Sequence, residues 1–274
     1  MTAASLDPLE LRNRVCVVTG AGGGIGRATA TALARAGARV VLLDRNAGTA
    51  EAARDSIRAE GAEAICIPCD AADPASVEAA AHGTADTFGG ADILVNNAGL
   101  LQPGPLESLS FADWNYLLSV NLTGYFLCAQ TFARQMRQRG GGTIVHVASI
   151  AGHYATGFSG AYSVAKAGII MLSRQIAVEW GTHGIRSNVV SPGMILTPLS
   201  HAFYEQPGVT ERRSAVVPAG RIGQPEDVAA AVLFLAGPRA NYITGDEITV
   251  DGGFTRNIMS LIPRPGYEHP SAEE

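Results

Sequence analysis

Short apolar stretches rich in β-branched residues alternate with helical patterns along almost the whole chain. The first two stretches, VCVVT at 15–19 and ARVVLLD at 38–44, are apolar on both sides of an extended backbone. A strand of this kind must be covered on both faces, which is typical of parallel sheets whose crossovers are helices. Because such crossovers are right-handed, the pattern predicts an α/β fold with a doubly wound parallel sheet.

Five more apolar stretches lie at 62–69, 92–99, 143–149, 185–193 and 247–253, and helical patterns lie near 24–36, 47–60, 74–88, 111–138, 162–181 and 225–236. Composition does not change abruptly, so we expect residues 1–274 to form a single domain with its core at about 13–254. The segment at about 194–221 breaks the alternation and predicts a substrate loop outside the carboxyl ends of the strands. The Pro-rich, acidic end at 255–274 predicts an extended C-terminal extension outside the core.

Charge and hydropathy argue against several classes of partner. The net charge is −5 and no basic stripe is visible, which argues against nucleic acid. No uninterrupted apolar run approaches the ~18–20 residues of a membrane span. The N-terminal stretch carries acids where a signal peptide needs an apolar core. We therefore expect a soluble, cytoplasmic protein.

The four cysteines are too few and too scattered for a disulfide framework. Cys66 and Cys69 match the C-x-x-C spacing of redox and metal sites, but they lie in an extended apolar run, whereas a redox pair prefers a helix N-terminus. The six histidines do not supply two further zinc ligands at a suitable spacing. We interpret the cysteines as structural and predict no metal site.

A glycine-rich turn joins the first strand to the first helical pattern. Residues 19–26 read TGAGGGIG, in which Gly20, Gly24 and Gly26 have a Gly-x-x-x-Gly-x-Gly spacing rather than G-x-G-x-x-G. Glycines let the backbone come close to a pyrophosphate at a helix N-terminus, where amide donors and the helix dipole favour anions. The position of the turn predicts a dinucleotide site that includes these glycines and Ile25.

Polar residues also follow the next strands at the same edge of the predicted sheet. Asp44 and Arg45 end the second strand, where the carboxylate can accept hydrogen bonds from an adenosine ribose. Asp70 and Ala71 follow the third strand, where the carboxylate can meet the adenine amino group or serve as a turn acid. The run NNAG ends the fourth strand and predicts a nucleotide wall of Asn97, Ala98 and Gly99.

Asp44 also predicts NAD rather than NADP as the cofactor. A 2′-phosphate would place about two negative charges within ~4 Å of this carboxylate, a repulsion of several kcal/mol at an effective dielectric constant near ~20. Arg45 is the one feature that favours NADP, since its guanidinium could turn to the phosphate. Ala21 leaves the glycine turn without the second cation that NADP sites usually recruit.

The stretch at 149–166, SIAGHYATGFSGAYSVAK, offers a hydroxyl, a phenol and an ammonium. Tyr162 and Lys166 stand four residues apart at the start of a helical pattern, which places both side chains on one face. A phenol ionises near pH ~10, and a cation a few Å away favours the phenolate. We therefore expect Lys166 to lower the pKa of Tyr162, the candidate general acid/base, and Ser149 to hydrogen-bond the oxygen whose proton Tyr162 exchanges.

A Tyr-x-x-x-Lys spacing also occurs by chance in helices, but here it accompanies other motifs. TGAGGGIG, NNAG, Asn121, Ser149, Tyr-x-x-x-Lys and Pro192-Gly193 follow one another in this order within roughly residues 13–254. With this set the chain resembles the short-chain dehydrogenase/reductase family. The resemblance implies a single-domain Rossmann sheet of seven strands, hydride transfer with a nicotinamide dinucleotide, and a homotetramer.

The same resemblance implies roles for individual residues. It makes Tyr162 the acid/base, Lys166 its pKa partner and a ligand of the nicotinamide ribose, and Ser149 the anchor of the carbonyl oxygen. Asn121 would hold a water in a proton relay to Lys166, although a lone Asn in a helix more often marks an irregularity or a buried hydrogen bond. The segment PGMILT resembles PG-x-x-x-T, in which Thr197 reaches the nicotinamide amide. This segment adds Pro192, Gly193 and Ile195 to the expected cofactor site.

Together the motifs predict an NAD(H)-dependent oxidoreductase that interconverts a secondary alcohol and a ketone. His153 could orient a polar substituent of the substrate or lie exposed on its loop. His146 stands where the family often has Asn, which leaves its hydrogen-bond partner open. The residues expected to face the substrate form a mainly apolar wall: Ser149, Ala151, His153, Phe158, Tyr162, Met194 and Phe203, with Ile150, Tyr154, Leu199 and Tyr204 beside them.

Three other functions share parts of this pattern. A 3-oxoacyl-[acyl-carrier-protein] reductase has the same motifs, but it usually uses NADPH and has basic residues near the first glycines, where this chain has only Arg27. An extended-type epimerase or dehydratase also uses Tyr-x-x-x-Lys but needs a larger C-terminal domain. A non-catalytic NAD-binding scaffold usually lacks the Tyr, Lys or Ser of the site, and all three are present here.

Overall fold

Seven parallel strands form one sheet in the computed structural model, which describes residues 11–262 and 265–266. The strands are β1 (Val15–Thr19), β2 (Arg39–Asp44), β3 (Ala64–Pro68), β4 (Ile93–Asn96), β5 (Gly142–Val147), β6 (Ile185–Pro192) and β7 (Glu247–Val250). Their order across the sheet is β3-β2-β1-β4-β5-β6-β7, and every neighbouring pair is parallel. The predicted doubly wound α/β sheet is thereby confirmed.

Helices make most of the connections, as the periodicity predicts. They are α1 (Gly24–Arg35), α2 (Ala47–Ala59), α3 (Pro74–Phe88), α4 (Phe111–Leu118), α5 (Gly124–Gln138), α6 (Tyr162–Trp180), α7 (His201–Tyr204), α8 (Val209–Ala215) and α9 (Pro225–Ala236). Among the described residues, no helix combines the length and the apolar character needed to cross a membrane.

Alternate residues of β1 face two different hydrophobic cores. Cys16 and Val18 pack with residues of α1, α2 and α9 on one face of the sheet. Val15 and Val17 pack with residues of α3, α5 and α6 on the other face. All four side chains are fully buried. The strands are apolar throughout because helices cover both faces of the sheet.

The winding of the chain reverses at β1. From β1 the chain moves outward through β2 and β3, and it then returns to the other side of β1 as β4. Helix α1, which follows β1, packs on one face, and helix α5, which follows β4, packs on the other. A crevice therefore opens between the carboxyl ends of β1 and β4, which is where doubly wound sheets bind their ligands.

The long helix predicted at 111–138 is not continuous. A π-helical turn at Ser119–Thr123 separates α4 from α5. Asn121 lies in this turn, is fully buried and brackets the backbone of Leu100: its Oδ1 accepts from Leu100 N at 3.0 Å and its Nδ2 donates to Leu100 O at 2.9 Å. Asn121 thus marks a helix irregularity and is also a buried hydrogen-bonding group, the two alternatives that its position in a helix suggested.

The predicted substrate loop at 194–221 leaves the carboxyl end of β6 and contains α7 and α8. The C-terminal extension begins with 3₁₀ turns at Phe254–Arg256 and Ile258–Leu261, so the expectation of extended chain is wrong for its first residues. The prolines of the extension begin only at 263 and do not restrain these turns. Asn257 Nδ2 donates to Val216 O at 3.3 Å, which ties the extension to the substrate loop. The rest of the extension, 263–264 and 267–274, lies outside the described residues.

Candidate active site

The glycine turn brings α1 into direct contact with the end of β1. Gly20 and Gly24 have φ of +63° and +51°, a backbone conformation that side chains other than glycine rarely adopt. A Cβ at Gly26 would overlap the carbonyl oxygen of Gly20. The N-cap residue of α1, Gly23, offers no side-chain cap, so the first amides of this helix face the crevice without a side-chain acceptor. These features fit a phosphate-bearing cofactor at the start of α1.

Asn97 holds the glycine turn from the end of β4. Its Nδ2 donates to the carbonyl oxygens of Thr19 and Gly20, at 3.0 and 3.1 Å, and its backbone N–H donates to Thr19 Oγ1 at 2.9 Å. Ala98 N also donates to Thr19 Oγ1, at 3.0 Å. Asn97 and Ala98, which are predicted to contact the nucleotide, therefore also connect the end of β4 to the end of β1 by hydrogen bonds.

Asp44 supports the same turn from the end of β2. Its Oδ2 accepts from Gly22 N at 2.9 Å and its Oδ1 accepts from Asn46 N at 2.8 Å. Arg45 is exposed and donates to Tyr116 OH at 3.2 Å. Asp70 Oδ1 accepts from Ala72 N at 2.9 Å, which gives it the role of a turn acid in this structure.

A cavity of about 720 Å³ runs along the carboxyl edge of the sheet, from Asp44 and Asp70 to the substrate loop. Gly26 lies beneath the turn and does not line it, and Asn121 stands behind Gly99: a Cβ at Gly99 would lie 2.9 Å from Asn121 Oδ1 and 3.8 Å from Lys166 Nζ. The other predicted site residues that line the cavity are Gly20, Gly24, Ile25, Arg45, Ala71, Asn97, Ala98, Gly99, Ser149, Ala151, Tyr162, Lys166, Pro192, Gly193, Met194, Ile195, Thr197 and Phe203.

Ser149 and Tyr162 meet where the cavity passes β5. Ser149 follows this strand and caps a 3₁₀ turn, its Oγ accepting from Ala151 N at 3.1 Å. Tyr162 is the first residue of α6. Burial raises the pKa of Tyr162, and a hydrogen bond with the Ser149 side chain opposes that rise. The two side chains therefore contact each other directly, and the predicted hydrogen bond of Ser149 to a substrate oxygen stays a prediction.

Lys166 lies one turn further along α6 and is almost completely buried. Its Nζ is 5.5 Å from the centroid of the Tyr162 ring and donates to Val147 O at 2.9 Å and to Tyr125 OH at 3.3 Å. Burial lowers the pKa of Lys166 to about 7, so the ammonium is readily lost near neutral pH. The sequence predicted that Lys166 lowers the pKa of Tyr162. In this structure the pKa of Tyr162 is raised instead, because burial of the phenol outweighs the opposing hydrogen bond with Ser149.

Lys166 is also the only lysine of the chain: the 20 Lys and Arg residues comprise this one and 19 arginines. A guanidinium would stay charged in this buried place, whereas an amine can release its proton there.

Sequence reasoning missed the aromatic side of the Lys166 pocket. The buried Tyr125 lies 5.1 Å beneath Lys166 Nζ, measured to the ring centroid, and its hydroxyl donates to Val147 O at 2.9 Å. His146 stacks on the other side of Tyr125 with ring centroids 5.9 Å apart, and its Nδ1 lies 3.3 Å from Asn96 Nδ2. Burial and the neighbouring Lys166 lower the pKa of His146 to about 3, which keeps the imidazole neutral. The histidine at a position where the family often has Asn was the only sequence signal for this cluster.

Three residues expected near the substrate lie outside the cavity lining. His153 Nε2 is 2.7 Å from Glu247 Oε2 on β7, so the exposed alternative is the correct one for this side chain. Phe158 is 76% exposed at a φ of +58°, and Tyr154 is also exposed. The loop turns outward after the 3₁₀ turn at Ile150–Gly152 and carries these side chains away. Conversely, Arg213 lines the cavity from α8 although no sequence motif pointed to it.

Burial explains the cysteines of the C-x-x-C sequence. Cys66 lies in the middle of β3 and Cys69 directly after it; both are free thiols, and burial raises the pKa of Cys69 to about 11. A thiol of this pKa is a poor nucleophile and a poor metal ligand at neutral pH. Among residues 11–262 and 265–266, no three His, Cys, Asp or Glu side chains are grouped as a metal site would require.

Known proteins resemble the chain over most of its length. The family model described as enoyl-(acyl carrier protein) reductase matches residues 20–255. D-threitol dehydrogenase of Mycolicibacterium smegmatis is 41% identical over 246 residues, which are 90% of this chain and 94% of that protein. Cis-4-hydroxycyclohexanecarboxylate dehydrogenase of Sinomonas cyclohexanicum is 42% identical over 243 residues, 88% of this chain and 96% of that protein.

A solved structure shares the fold closely. A gluconate 5-dehydrogenase from Burkholderia cenocepacia, in complex with NADP and tartrate, superimposes with a TM-score of 0.88 at 35% identity, covering 93% of this chain and 100% of that one. The chain therefore belongs to the short-chain dehydrogenase/reductase family. Within that family it is an oxidoreductase of alcohols and ketones.

Gly26→Ala should destabilise the protein, because the added Cβ has no room beside the carbonyl oxygen of Gly20. We expect a loss of about 1–3 kcal/mol in the free energy of unfolding, measured by urea denaturation. Gly48→Ala, at the start of α2, is the matched control because its Cβ would meet nothing closer than 3.6 Å. Equal stability of the two variants would contradict the close approach of α1 to β1.

Lys166→Met should change the pH dependence of stability. The pKa of Lys166 is about 7 in the folded protein and ~10.5 in an unfolded chain, so between these values the unfolded chain binds more protons. Burial of Lys166 therefore reduces the free energy of unfolding most below pH 7, and this reduction becomes smaller as the pH rises. Relative to wild type, the free energy of unfolding of the variant should fall by about 3 kcal/mol between pH 6 and pH 9.

Urea unfolding at both pH values measures this difference. Arg174→Met is the matched control, since Arg174 is an exposed cation on the same helix and should show no such trend. A Lys166→Met difference that stays constant with pH would mean that Lys166 keeps an ordinary pKa.

Proposed function

We propose that the protein is an NAD(H)-dependent oxidoreductase that interconverts a secondary alcohol and a ketone, with Tyr162 as the general acid/base. The observation that carries this proposal is a single cavity that holds both the glycine turn and the Ser149–Tyr162–Lys166 group. A dinucleotide laid along the carboxyl edge of the sheet would place its reactive end beside these three side chains.

In the oxidation direction, Tyr162 passes its phenol proton to the Lys166 amine behind it, and the phenolate then takes the hydroxyl proton of the substrate. Ser149 holds the same substrate oxygen by a hydrogen bond. When bound, the nicotinamide supplies the acceptor for the carbinol hydride. Lys166 can hold or release a proton behind Tyr162, since its pKa is about 7. Asn121 stands beside it across Gly99 and supports the proposed proton relay. Positioning and hydrogen bonding to the substrate oxygen supply most of the acceleration, and general base work adds a factor on the order of 10²–10⁴.

For the cofactor, the amides of the glycine turn suit the pyrophosphate, Asp44 the adenosine ribose and Asp70 the adenine amino group. Thr197 and the Pro192-Gly193 pair would hold the nicotinamide end. Thr197 approaches the turn closely, since a Cβ at Gly24 would lie 3.3 Å from Thr197 Cβ. The substrate loop is thus in a position to close over the cofactor.

NAD is the proposed cofactor because Asp44 faces the cavity with a negative charge where NADP carries its extra phosphate. Arg45 could neutralise that phosphate, but its guanidinium is engaged by the Tyr116 hydroxyl. The structural neighbour from Burkholderia cenocepacia binds NADP, so the choice depends on this chain's own residues. The named relatives act on a polyol and on a hydroxy acid, so their names leave the substrate class open.

A homotetramer is part of the proposal. Apolar side chains remain exposed along α4, α5 and α6: Phe111 is 80% exposed, Phe126 41%, Val164 48%, Met171 59% and Val178 81%. An exposed apolar stripe of this length on neighbouring helices favours contact with other copies of the chain.

Tyr162→Phe should preserve the fold and NADH binding but lower kcat/KM by a factor on the order of 10³ or more, because only the acid/base hydroxyl is removed. Initial rates with a secondary alcohol, and NADH fluorescence for binding, measure the two effects. Tyr154→Phe is the matched control, since that ring is exposed on the neighbouring loop. Near wild-type turnover in the Tyr162 variant would refute the assignment.

Asp44→Ala should narrow the preference for NAD over NADP, which we expect to be about tenfold or more in kcat/KM for the wild type. The charge that repels a 2′-phosphate is lost, and so are the hydrogen bonds to Gly22 N and Asn46 N. Asp44→Asn removes the charge but keeps one acceptor, so it separates repulsion from support of the turn. Equal or better wild-type activity with NADP would show that Arg45 governs the site.

A further inference from the structure

A cation stands at the substrate-loop end of the cavity. Arg213, on α8, lines the cavity with its guanidinium 4.8 Å from the centroid of the Tyr204 ring and 6.0 Å from that of Phe203. Its Nε lies 3.2 Å from the thioether sulfur of Met194. Contact with aromatic rings and a sulfur restricts the guanidinium to one place on the cavity wall.

Arg213 has no acidic partner in the part of the chain that the structure describes. Arg221, in the same loop, donates twice to Asp227, at 2.7 and 2.8 Å. Arg139 likewise donates twice to Asp92. A thioether is a weak acceptor and occupies only one of the five N–H groups of a guanidinium. Arg213 is therefore built into the wall with most of its hydrogen-bonding capacity unused by the described residues.

The neighbouring phenol is in the same situation. Tyr204 also lines the cavity, and its hydroxyl is buried without a hydrogen-bond partner among the described residues. A buried hydroxyl left unpaired costs about 1–3 kcal/mol, so it normally has an acceptor in the working state. The Arg213 guanidinium and the Tyr204 hydroxyl are thus neighbouring donors that can both bind an acceptor entering the cavity.

The position of the charges assigns these donors to the substrate rather than to the dinucleotide. The cavity carboxylates Asp44 and Asp70 follow β2 and β3, whereas the loop that carries Arg213 follows β6. Strands β1, β4 and β5 lie between them. The remaining wall near Arg213 is apolar, formed by residues such as Leu199 and Phe203. The substrate end of the cavity therefore combines an apolar body with one positive charge.

We propose that Arg213 and Tyr204 form a carboxylate-binding subsite and that the substrate is a hydroxy acid, or the corresponding oxo acid. A carboxylate matches the fork of a guanidinium and can accept from the phenol as well. This rests on the proposed function: the carbinol C–H and O–H bonds break at Tyr162 and the nicotinamide, a C=O bond forms, and the carboxylate takes no part in these changes. Its binding energy orients the carbinol toward Tyr162.

Matched pairs of substrates test the subsite. We would compare 3-, 4- and 5-hydroxyhexanoate and 3-hydroxycyclohexanecarboxylate, each with its methyl ester, in wild type, Arg213→Gln, Tyr204→Phe and Arg212→Gln. Arg212 is the matched control because it is exposed on α8 and does not line the cavity. In the wild type, at least one acid should exceed its ester in kcat/KM by about 10- to 100-fold, the worth of one charge-assisted hydrogen-bonded pair.

Arg213→Gln should abolish that preference mainly through KM, with activity on the esters retained, whereas Arg212→Gln should keep it. Tyr204→Phe should reduce it by a smaller factor. If esters and cyclohexanol are oxidised while no acid is preferred, the subsite is refuted and the proposed function stands. The subsite is also refuted if Arg213→Gln lowers acids and esters equally.

A binding measurement decides the case in which no compound of the panel is turned over. Calorimetry with hexanoate and hexanamide, on protein saturated with NADH, should show tighter binding of the carboxylate in the wild type and in Arg212→Gln. The difference should disappear in Arg213→Gln. Equal binding of the two probes to the wild type would overturn the carboxylate subsite whether or not the dehydrogenase assignment holds.

Discussion

Burial of the Lys166 side chain is the constraint on which the Ser149–Tyr162–Lys166 part of the cavity depends. Lys166 loses almost all its water, and the carbonyl of Val147 and the hydroxyl of Tyr125 replace it. These partners belong to β5 and α5, so the pocket exists only when the sheet and two helices are assembled together. Two hydrogen bonds do not restore full solvation, and the pKa falls to about 7. The same incomplete solvation that weakens the fold also places the pKa of this buried amine close to neutral pH.

The nucleotide end depends on a different constraint, the close approach of backbone to backbone. The side chains of Asn97 and Asp44 bind backbone groups of the glycine turn. Both residues thus have a structural duty in addition to any contact with a cofactor. A change at either position acts on ligand affinity and on the shape of the turn together. For this reason charge-only substitutions are more informative here than truncations.

The sequence predicted the strands, the main helices and most cavity residues, because periodicity and strand-end motifs are local signals. It did not reveal the π-helical turn at Ser119–Thr123, since the helical pattern continues through it. The pKa of Tyr162 depends on burial by distant elements, and no motif encodes that. Arg213 was missed because its partners are brought to it only by the fold of the substrate loop. His153 was placed near the substrate from its position in the chain, whereas the outward turn of its loop takes it to Glu247.

The single lysine has a practical consequence for observing this enzyme. Isotope labelling of lysine would place one side-chain signal in the spectrum, and that signal would come from the buried pocket behind Tyr162. Every other Lys or Arg position of the chain carries arginine, so Lys166 supplies the one side-chain amine, and that amine is almost completely buried. The protonation state of the working site can therefore be followed by titration without any mutation, in the resting protein and with ligands added.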